Sequence, residues 1–371
     1  MSLVIARLAS RTDRSGGVYV YAQDAFGDLP GFLIAWGYWA AYWIAMPAMA
    51  IAFVGYLGVF VPSLNGWPVG QAAVALALIW TLTFVNIAGL REAGTVQLLM
   101  TFLKLIPLLL VIGLAAATGD SDNLPPVNPA GMSLLGVTAS TALLTMWAFS
   151  GLEAGTMPAG SVKNPQRTVP LAIVTGTLTV TFVYVASTIA AMLLVPPELL
   201  AVSSSPFSDA AVGLGSWGPG LIAVGAMIST AGALNGTILV AGQLPMALAL
   251  DKLAPGALAR TNRGGAPTLS LVLSSALATA LLLANYFKAL LELFTFLIMM
   301  STVAILVPLF VSALAELRYS LRSARGWAGV AGLALLYSVF TILGSGLEVI
   351  LWGVVLFAIG LPLYLWIRRA E

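Results

Sequence analysis

The sequence predicts an all-α protein that crosses a membrane many times. Hydrophobic residues make up 60% of its 371 residues and charged residues only 8%, whereas a soluble domain carries about 25% charged residues. From Leu29 to Leu90 there is no Asp, Glu, Lys or Arg, and this stretch is longer than two bilayer crossings of roughly 20 residues each. Lipid offers the backbone no hydrogen-bond partner, so only helices or a closed barrel can cross it. The sequence lacks the short alternating segments of a barrel, so we expect helices.

About ten full crossings are predicted from the apolar segments, since pairs of prolines and a Gly-rich stretch separate several of them. Some segments exceed 25 residues, so we expect helices that tilt or extend beyond the hydrocarbon. The predicted crossings are 29–61, 69–90, 94–118, 133–159, 168–195, 216–248, 267–285, 288–315, 327–344 and 348–367.

Positive charges concentrate in every second loop, and the positive-inside rule makes these loops cytoplasmic. Both termini of this chain are then expected on the cytoplasmic side, in agreement with an even number of crossings. The expected location is the cytoplasmic (inner or plasma) membrane. The predicted cytoplasmic cations are Arg7, Arg11, Arg14, Arg91, Lys163, Arg167, Lys252, Arg260, Arg263, Arg318, Arg322, Arg325, Arg368 and Arg369. The alternate loops hold Lys288 together with Asp120, Asp122, Glu198, Asp209 and Glu348.

Composition also argues against several classes of function. The chain has no Cys and no His, which excludes disulfides, thiol chemistry and the usual zinc or haem sites. It contains no phosphate-binding GxxxxGK[ST] loop, no paired Asp at mid-membrane and no repeated filter loop of the kind that channels need. We therefore expect no metal, no cofactor, no nucleic acid partner and no enzyme activity.

The stretch WAFSGLEAGTMPAGSVKNPQRTVP, from Trp147 to Pro170, places Ser150, Gly151 and Glu153 within an apolar segment. Ser and Gly permit a helix to unwind, and unwound backbone is tolerated at membrane depth only beside protein or a wet cavity. Broken helices of this kind bind substrates in secondary transporters, where half-helix N-termini offer N–H groups to an anionic group. Two other interpretations stay open, because Gly151 could serve close helix packing and Glu153 could lie at the inner interface.

The same stretch resembles the sixth helix and following loop of the amino acid–polyamine–organocation superfamily. SGGVYVYAQDAFG at 15–27, SPFSDAA at 205–211 and LVAGQLPMALALDKLAP at 239–255 are similar to other segments of that superfamily. The resemblance follows the whole chain in order and is nearest to the basic amino acid/polyamine antiporter branch, which includes arginine/agmatine exchangers.

The resemblance implies a LeuT-type fold, in which two inverted repeats of five helices are followed by two C-terminal helices. On this basis the chain is a single transmembrane domain. Residues 1–15 are the end of family helix 2 and its loop, 16–118 the rest of the first repeat, 133–315 the second repeat and 327–367 the two C-terminal helices. Homodimers are common in the nearest branch, although nothing in this sequence demonstrates one.

A substrate site at mid-membrane follows from the resemblance, between unwound parts of the first and sixth helices. In this chain the sixth-helix part is Ser150–Leu152, which would act mainly through backbone groups. Trp147 matches an aromatic residue that closes over the substrate from outside. Tyr38 and Glu153 match residues of a gate beneath the substrate.

Two departures bear on the substrate. Arginine/agmatine exchangers have an Asn in the third helix where this chain has Met46, and a Trp in the eighth helix where it has Thr237. Both of those side chains help to hold a guanidinium group or its aliphatic stem. Their absence favours an uncharged amino acid at a substrate site that includes Met46 and Thr237.

Lys104 lies in the apolar sequence QLLMTFLKLIPLLLVIG, about ten residues and so roughly 15 Å into its crossing. A charge at that depth is costly and indicates function, although the long side chain could instead reach the interface. Proton-coupled, sodium-independent members of the superfamily resemble this chain in carrying a Lys there, unlike the arginine/agmatine branch. Burial favours the neutral form of a lysine, which predicts that Lys104 releases a proton during the transport cycle. Ser229 and Thr230 are its predicted hydroxyl partners.

The resemblance begins inside the family's second helix, since residues 1–8 match its inner end and the first helix has no counterpart. We therefore expect the gene to encode on the order of 50–60 further residues upstream, enough for two helices of ~20 residues and a loop.

The predicted function is sodium-independent secondary transport of amino acids, preferably uncharged ones, by proton-coupled symport or exchange. The alternatives are a basic amino acid/polyamine antiporter and a truncated inactive or structural relative; the partners are a small amino acid or amine and the lipid bilayer.

Overall fold

The computed structural model describes residues 1–371 except 13–16, 89–92, 126–130, 132, 157–161, 287 and 371. Arg14 and Arg91 of the predicted cytoplasmic cations lie outside the described residues, as do parts of two quoted motifs, 15–16 and 157–161. The side chains of Arg322, Arg368 and Arg369 lie outside them too.

Within the described ranges the chain is helical and has no strand. The α-helices are α1 Ser2–Ala9, α2 Val18–Phe26, α3 Asp28–Leu57, α4 Pro68–Ala88, α5 Ala93–Thr118, α6 Leu134–Phe149, α7 Pro165–Leu194, α8 Pro197–Leu200, α9 Pro206–Ala210, α10 Gly218–Leu250, α11 Thr268–Asn285, α12 Leu290–Ser323, α13 Arg325–Gly344 and α14 Leu347–Ala370.

Ten of the described segments are long and apolar enough to cross a membrane, which confirms the predicted all-α polytopic class. Boundaries differ in three places. The first crossing ends at Leu57 instead of residue 61, because a turn at Gly58 precedes Pro62. Helix α12 continues to Ser323 instead of ending at 315, and the α-helix of the fourth crossing ends at Phe149, ten residues before the predicted end.

Helices α3 and α12 form the centre of the molecule. Helix α3 packs against α10, α11 and α12 as well as α2 and α4, and its middle, including Ala40, Ile44 and Ala48, is fully buried. By contrast, α5, α7 and α14 expose large apolar side chains such as Phe102 and Phe182. Apolar side chains on the outside of a helical membrane protein can contact lipid. The well-packed helices therefore lie at the centre of the molecule, and the helices with exposed apolar side chains lie around them, as expected for a membrane protein.

Buried hydroxyl groups connect the four helices α3, α4, α10 and α11. The indole Nε1 of Trp39 donates to Ser274 Oγ at 2.8 Å, and Ser274 Oγ donates to the carbonyl of Ala241 at 2.9 Å. Thr83 Oγ1 and Ser275 Oγ lie 2.7 Å apart. These contacts satisfy polar groups away from water and join the four helices into one unit.

Helices α5 and α10 approach closely at a single glycine. A Cβ added to Gly225 would stand 2.2 Å from Cγ of Pro107, which is too close for any other residue without movement. Lys104 precedes Pro107 by one turn, and Ser229 follows Gly225 by one turn. The small residue thus allows α5 to place Lys104 near the polar side chains of α10.

A buried ionic cluster ties α1 to the end of α12. Glu316 of α12 is fully buried, and its Oε1 accepts a hydrogen bond from Arg11 Nη2 at 2.9 Å and lies 3.7 Å from Arg7 Nε. Ser320 Oγ also donates to Glu316 Oε1. The guanidinium of Arg7 stacks over the Trp327 ring at 4.7 Å, so α13 joins the cluster.

Segments predicted to share a membrane side lie together. On the predicted inner side, Arg318 Nη1 donates to the carbonyl of Ala25 at 2.6 Å, and Tyr19 Oη donates to Asp251 Oδ2 at 3.0 Å. On the predicted outer side, Asn123 Nδ2 donates to the carbonyl of Leu193 at 3.0 Å. These contacts agree with the predicted division of the loops between two sides of the membrane. Which of the two sides is cytoplasmic stays a prediction.

Candidate functional site

Helix α6 is interrupted at the residues that the sequence singled out. Its last residue is Phe149; Ser150 then adopts extended angles (φ −69°, ψ 145°) and Gly151 has φ +99°. A residue with a Cβ rarely takes that positive φ. The chain continues as a short 3-10 turn, Leu152–Thr156. The predicted departure from helix is therefore present in the structure.

The carboxylate of Glu153 binds the backbone of the interrupted segment. It is 5% exposed, and both of its oxygens accept a hydrogen bond from the backbone N–H of Gly151, at 3.1 and 3.0 Å. Tyr38 Oη of α3 donates to Glu153 Oε1 at 3.2 Å, and the Tyr42 hydroxyl lies 3.0 Å from that of Tyr38. The Gly151 N–H, which the sequence suggested as a donor for an anionic group, is therefore already bonded to Glu153.

A cavity of about 350 Å³ lies beside the break, between α3, α5, α6, α7, α10 and α12. This is near the lower end of the range for small-molecule sites, roughly 300–1,000 Å³. Its aromatic lining consists of Tyr42, Trp147, Tyr184 and Phe294. The rings of Trp147 and Phe294 meet edge to face, with centroids 5.9 Å apart, so they cover one part of the cavity together.

Charge at this cavity is limited to one cation among the described residues. Lys104 lines it together with Ser229 and Thr230 of α10, and no described carboxylate forms an ion pair with Lys104. Thr230 Oγ1 donates to the carbonyl of Ala226 in its own helix at 2.9 Å. The described residues contain no group of three or more Asp and Glu side chains that could hold a metal ion.

Most of the predicted site residues come together here. The cavity is lined by Trp147, Ser150, Gly151, Lys104, Ser229, Thr230 and Thr237. Tyr38 and Glu153 lie behind this lining as a hydrogen-bonded pair. Met46 and Leu152 are not brought to it: Met46 is fully buried in the core around α3, and Leu152 lines a separate cavity with Glu153. Their roles in binding stay predictions that this geometry does not support.

Sequence reasoning missed several residues of the lining. Tyr42 follows Tyr38 by four residues and so shares its face of α3, which is a signal that was available. Phe294 and Ser301 are two turns apart on α12, and Ser301 Oγ donates to the carbonyl of Ala41 at 2.9 Å. Nothing in a single sequence shows that α12 packs on this part of α3, so these two residues had no comparable signal.

Comparison with known proteins decides the family. Residues 1–365 match the sequence profile described as amino acid permease. The chain belongs to this family. It is therefore an amino acid transporter, and the resemblance to the amino acid–polyamine–organocation superfamily is confirmed.

Two relatives illustrate the branch. The arginine/ornithine antiporter of Pseudomonas aeruginosa is 30% identical over 386 residues, which cover 98% of this chain and 80% of the relative. The cadaverine/lysine antiporter of Escherichia coli (strain K12) is 32% identical over 292 residues, which cover 76% of this chain and 64% of the relative. The chain thus resembles the basic amino acid/polyamine antiporters over most of its length.

Proposed function

We propose that the protein carries amino acids with uncharged side chains through the cavity beside the α6 break, by exchange or proton-coupled symport without sodium. The observation that carries this proposal is the composition of the lining, which combines an interrupted helix, aromatic walls and the single described cation Lys104. The carboxylate nearest the break, Glu153, is bonded to Gly151 and Tyr38 and does not line the cavity.

The break suits the ammonium group of an amino acid. Helix α6 ends here with its C-terminal carbonyls, where the macrodipole places partial negative charge. Ser150 extends beyond these carbonyls and lines the cavity. An ammonium group close to the end of α6 would therefore gain hydrogen bonds and favourable electrostatics.

Lys104 disfavours a second positive charge on the substrate. At an effective dielectric constant of about 20, two like unit charges several ångströms apart repel by roughly a few kcal/mol. A charged Lys104 would therefore favour an uncharged side chain over a cationic one of equal size. The neutral hydroxyl of Thr237, which donates to Met49 Sδ at 3.3 Å, supplies no compensating charge.

A second candidate is the exchange of basic amino acids or diamines. The names of the relatives, an arginine/ornithine antiporter and a cadaverine/lysine antiporter, favour it over the transport of uncharged amino acids. The rings of Trp147 and Tyr42 could hold a cation by cation–π contact. The two candidates therefore differ in whether Lys104 or the aromatic lining decides selectivity.

Exchange in liposomes distinguishes them. Purified protein in liposomes loaded with one unlabelled compound is given the same labelled compound outside, for alanine, leucine, methionine, arginine, ornithine, lysine and cadaverine in turn. We expect faster uptake than into protein-free liposomes for the uncharged group. Uptake of only the basic compounds and cadaverine would establish the second candidate, and no uptake of any compound would contradict both.

Coupling is proposed to depend on Lys104, because it lines the same cavity as Ser229 and Thr230. We expect Lys104→Ala to weaken uptake and change its dependence on pH, with no sodium requirement in either protein. Lys288→Ala is the matched control, since Lys288 lies over the Phe296 ring at 4.2 Å and does not line this cavity.

Orientation with both termini inside, the two five-helix repeats and a homodimer also remain proposals.

A further inference from the structure

We infer that Tyr42 is a positioning residue that couples a hydrogen-bond donor of the substrate in the cavity to the Tyr38–Glu153 pair. Tyr42 lines the cavity, whereas Tyr38 and Glu153 do not. On the α3 side Tyr42 connects the cavity with the pair, because its hydroxyl lies 3.0 Å from that of Tyr38. This inference rests on the proposed function, since it requires a substrate in the same cavity.

The hydrogen bonds along this chain of side chains follow one direction. Tyr38 donates its single hydroxyl proton to Glu153 Oε1, at 3.2 Å, so no proton is left for its contact with Tyr42, in which either hydroxyl could otherwise be the donor. Tyr38 is then the acceptor in its contact with Tyr42. The order of donation is therefore from Tyr42 to Tyr38 and from Tyr38 to Glu153.

This direction determines what Tyr42 offers to the cavity. Its one proton is used on Tyr38, so the oxygen has only lone pairs left for a substrate. It can accept from an ammonium group and cannot donate to a carboxylate. Because hydrogen bonds in a chain polarise one another, a donor bound at Tyr42 strengthens the contact between Tyr38 and Glu153.

The second connection returns to the cavity through the backbone. Glu153 accepts from the N–H of Gly151, and Gly151 lines the cavity as Tyr42 does. The carboxylate is thus held from α3 on one side and from the break on the other. Loss of the Tyr42 hydroxyl would loosen the α3 side while the ring contact with Tyr38, 5.1 Å between centroids, remains.

Labelling of a single cysteine tests this without relying on transport, because the chain has no cysteine of its own. Thr156→Cys places a thiol at a residue that is 1% exposed and bonded to the carbonyl of Glu153. The protein is placed in lipid nanodiscs, where a membrane-impermeant maleimide reaches both faces. Tyr42→Phe, Tyr38→Phe and the double variant are compared in this background, after gel filtration has shown that each is folded.

We expect Tyr42→Phe to raise the labelling rate about threefold to tenfold, the range that one hydrogen bond is worth. Tyr38→Phe should raise it at least as much, and the double variant should equal Tyr38→Phe. Tyr184→Phe is the matched control, since Tyr184 lines the same cavity and its ring contacts Phe149 instead; its rate should not change. An unchanged rate for Tyr42→Phe, or effects that multiply in the double variant, would overturn the inference.

Substrate provides the second arm. Saturating amino acid should slow labelling in the parent and slow it less in Tyr42→Phe; equal protection of the two would also overturn the inference. If no amino acid or amine protects the parent or is taken up, the proposed function fails. The rates measured without substrate still decide whether Tyr42 acts through Tyr38, so the two failures can be told apart.

Discussion

The requirement for glycine at the α6 break gives a quantitative prediction. Gly151 has φ +99°, and a Cβ built on it meets no atom within 4 Å. A substitution by alanine is therefore free of steric clash, and its cost comes from the backbone conformation alone. A left-handed conformation costs an L-residue about 1–2 kcal/mol.

Gly155 supplies the matched control. It lies in the 3-10 turn that follows Gly151, its added Cβ also meets nothing within 4 Å, and its φ is not positive. Replacing glycine by alanine reduces the entropy of the unfolded chain and so stabilises by about 0.4–1 kcal/mol at either position. This gain cancels in the comparison, so Gly151→Ala should be less stable than Gly155→Ala by about 1–2 kcal/mol.

The assay is equilibrium unfolding in mixed detergent micelles, followed by far-ultraviolet circular dichroism. The free energy of unfolding is compared between the two alanine variants, with unmodified protein as the reference. Equal free energies of unfolding for Gly151→Ala and Gly155→Ala would refute the assignment of a left-handed residue at position 151.

Other predictions concern the ionic cluster, coupling and orientation. Glu316→Gln should lower the free energy of unfolding by about 1–3 kcal/mol, less than the ~3–5 kcal/mol of a fully buried pair, because the two arginines are about a third exposed; the exposed Glu348→Gln should change it by less than about 0.5 kcal/mol. Lys104→Ala should lower amino acid uptake and alter its pH profile, and a profile like that of unmodified protein would reduce Lys104 to a side chain that reaches the interface. Epitope tags at the C-terminus and in 161–167 should be accessible from the cytoplasm and one in 120–129 from outside; labelling of both loops from one side would contradict the predicted crossings.

Much of the fold follows from the sequence because lipid restricts the choices. Apolar length and the turn residues located the ten crossings, and Ser150 with Gly151 located the break in one of them. Boundaries were less accurate where polar residues continue a helix. Helix α12 runs past the predicted end because Glu316 and Ser320 are buried against α1 and need not face water.

The candidate site was predicted in part. Residues on the break and Lys104 were found because a charge or a helix-breaking pair stands out in an apolar segment. Phe294 and Ser301 were missed because ordinary residues become part of a site only when their helix is packed on another. The ionic cluster shows the same limit, since Arg7 and Arg11 looked like loop charges until Glu316 was found between them.

The central claim is that amino acids pass through the cavity beside the α6 break. The most direct test is counterflow of labelled amino acid into liposomes by Gly151→Leu and Gly155→Leu, both checked for folding by gel filtration. Gly151 lines the cavity and Gly155 does not, while both have open space for a Cβ. The account predicts that Gly151→Leu abolishes counterflow and that Gly155→Leu retains it; counterflow in folded Gly151→Leu at the rate of unmodified protein would contradict it.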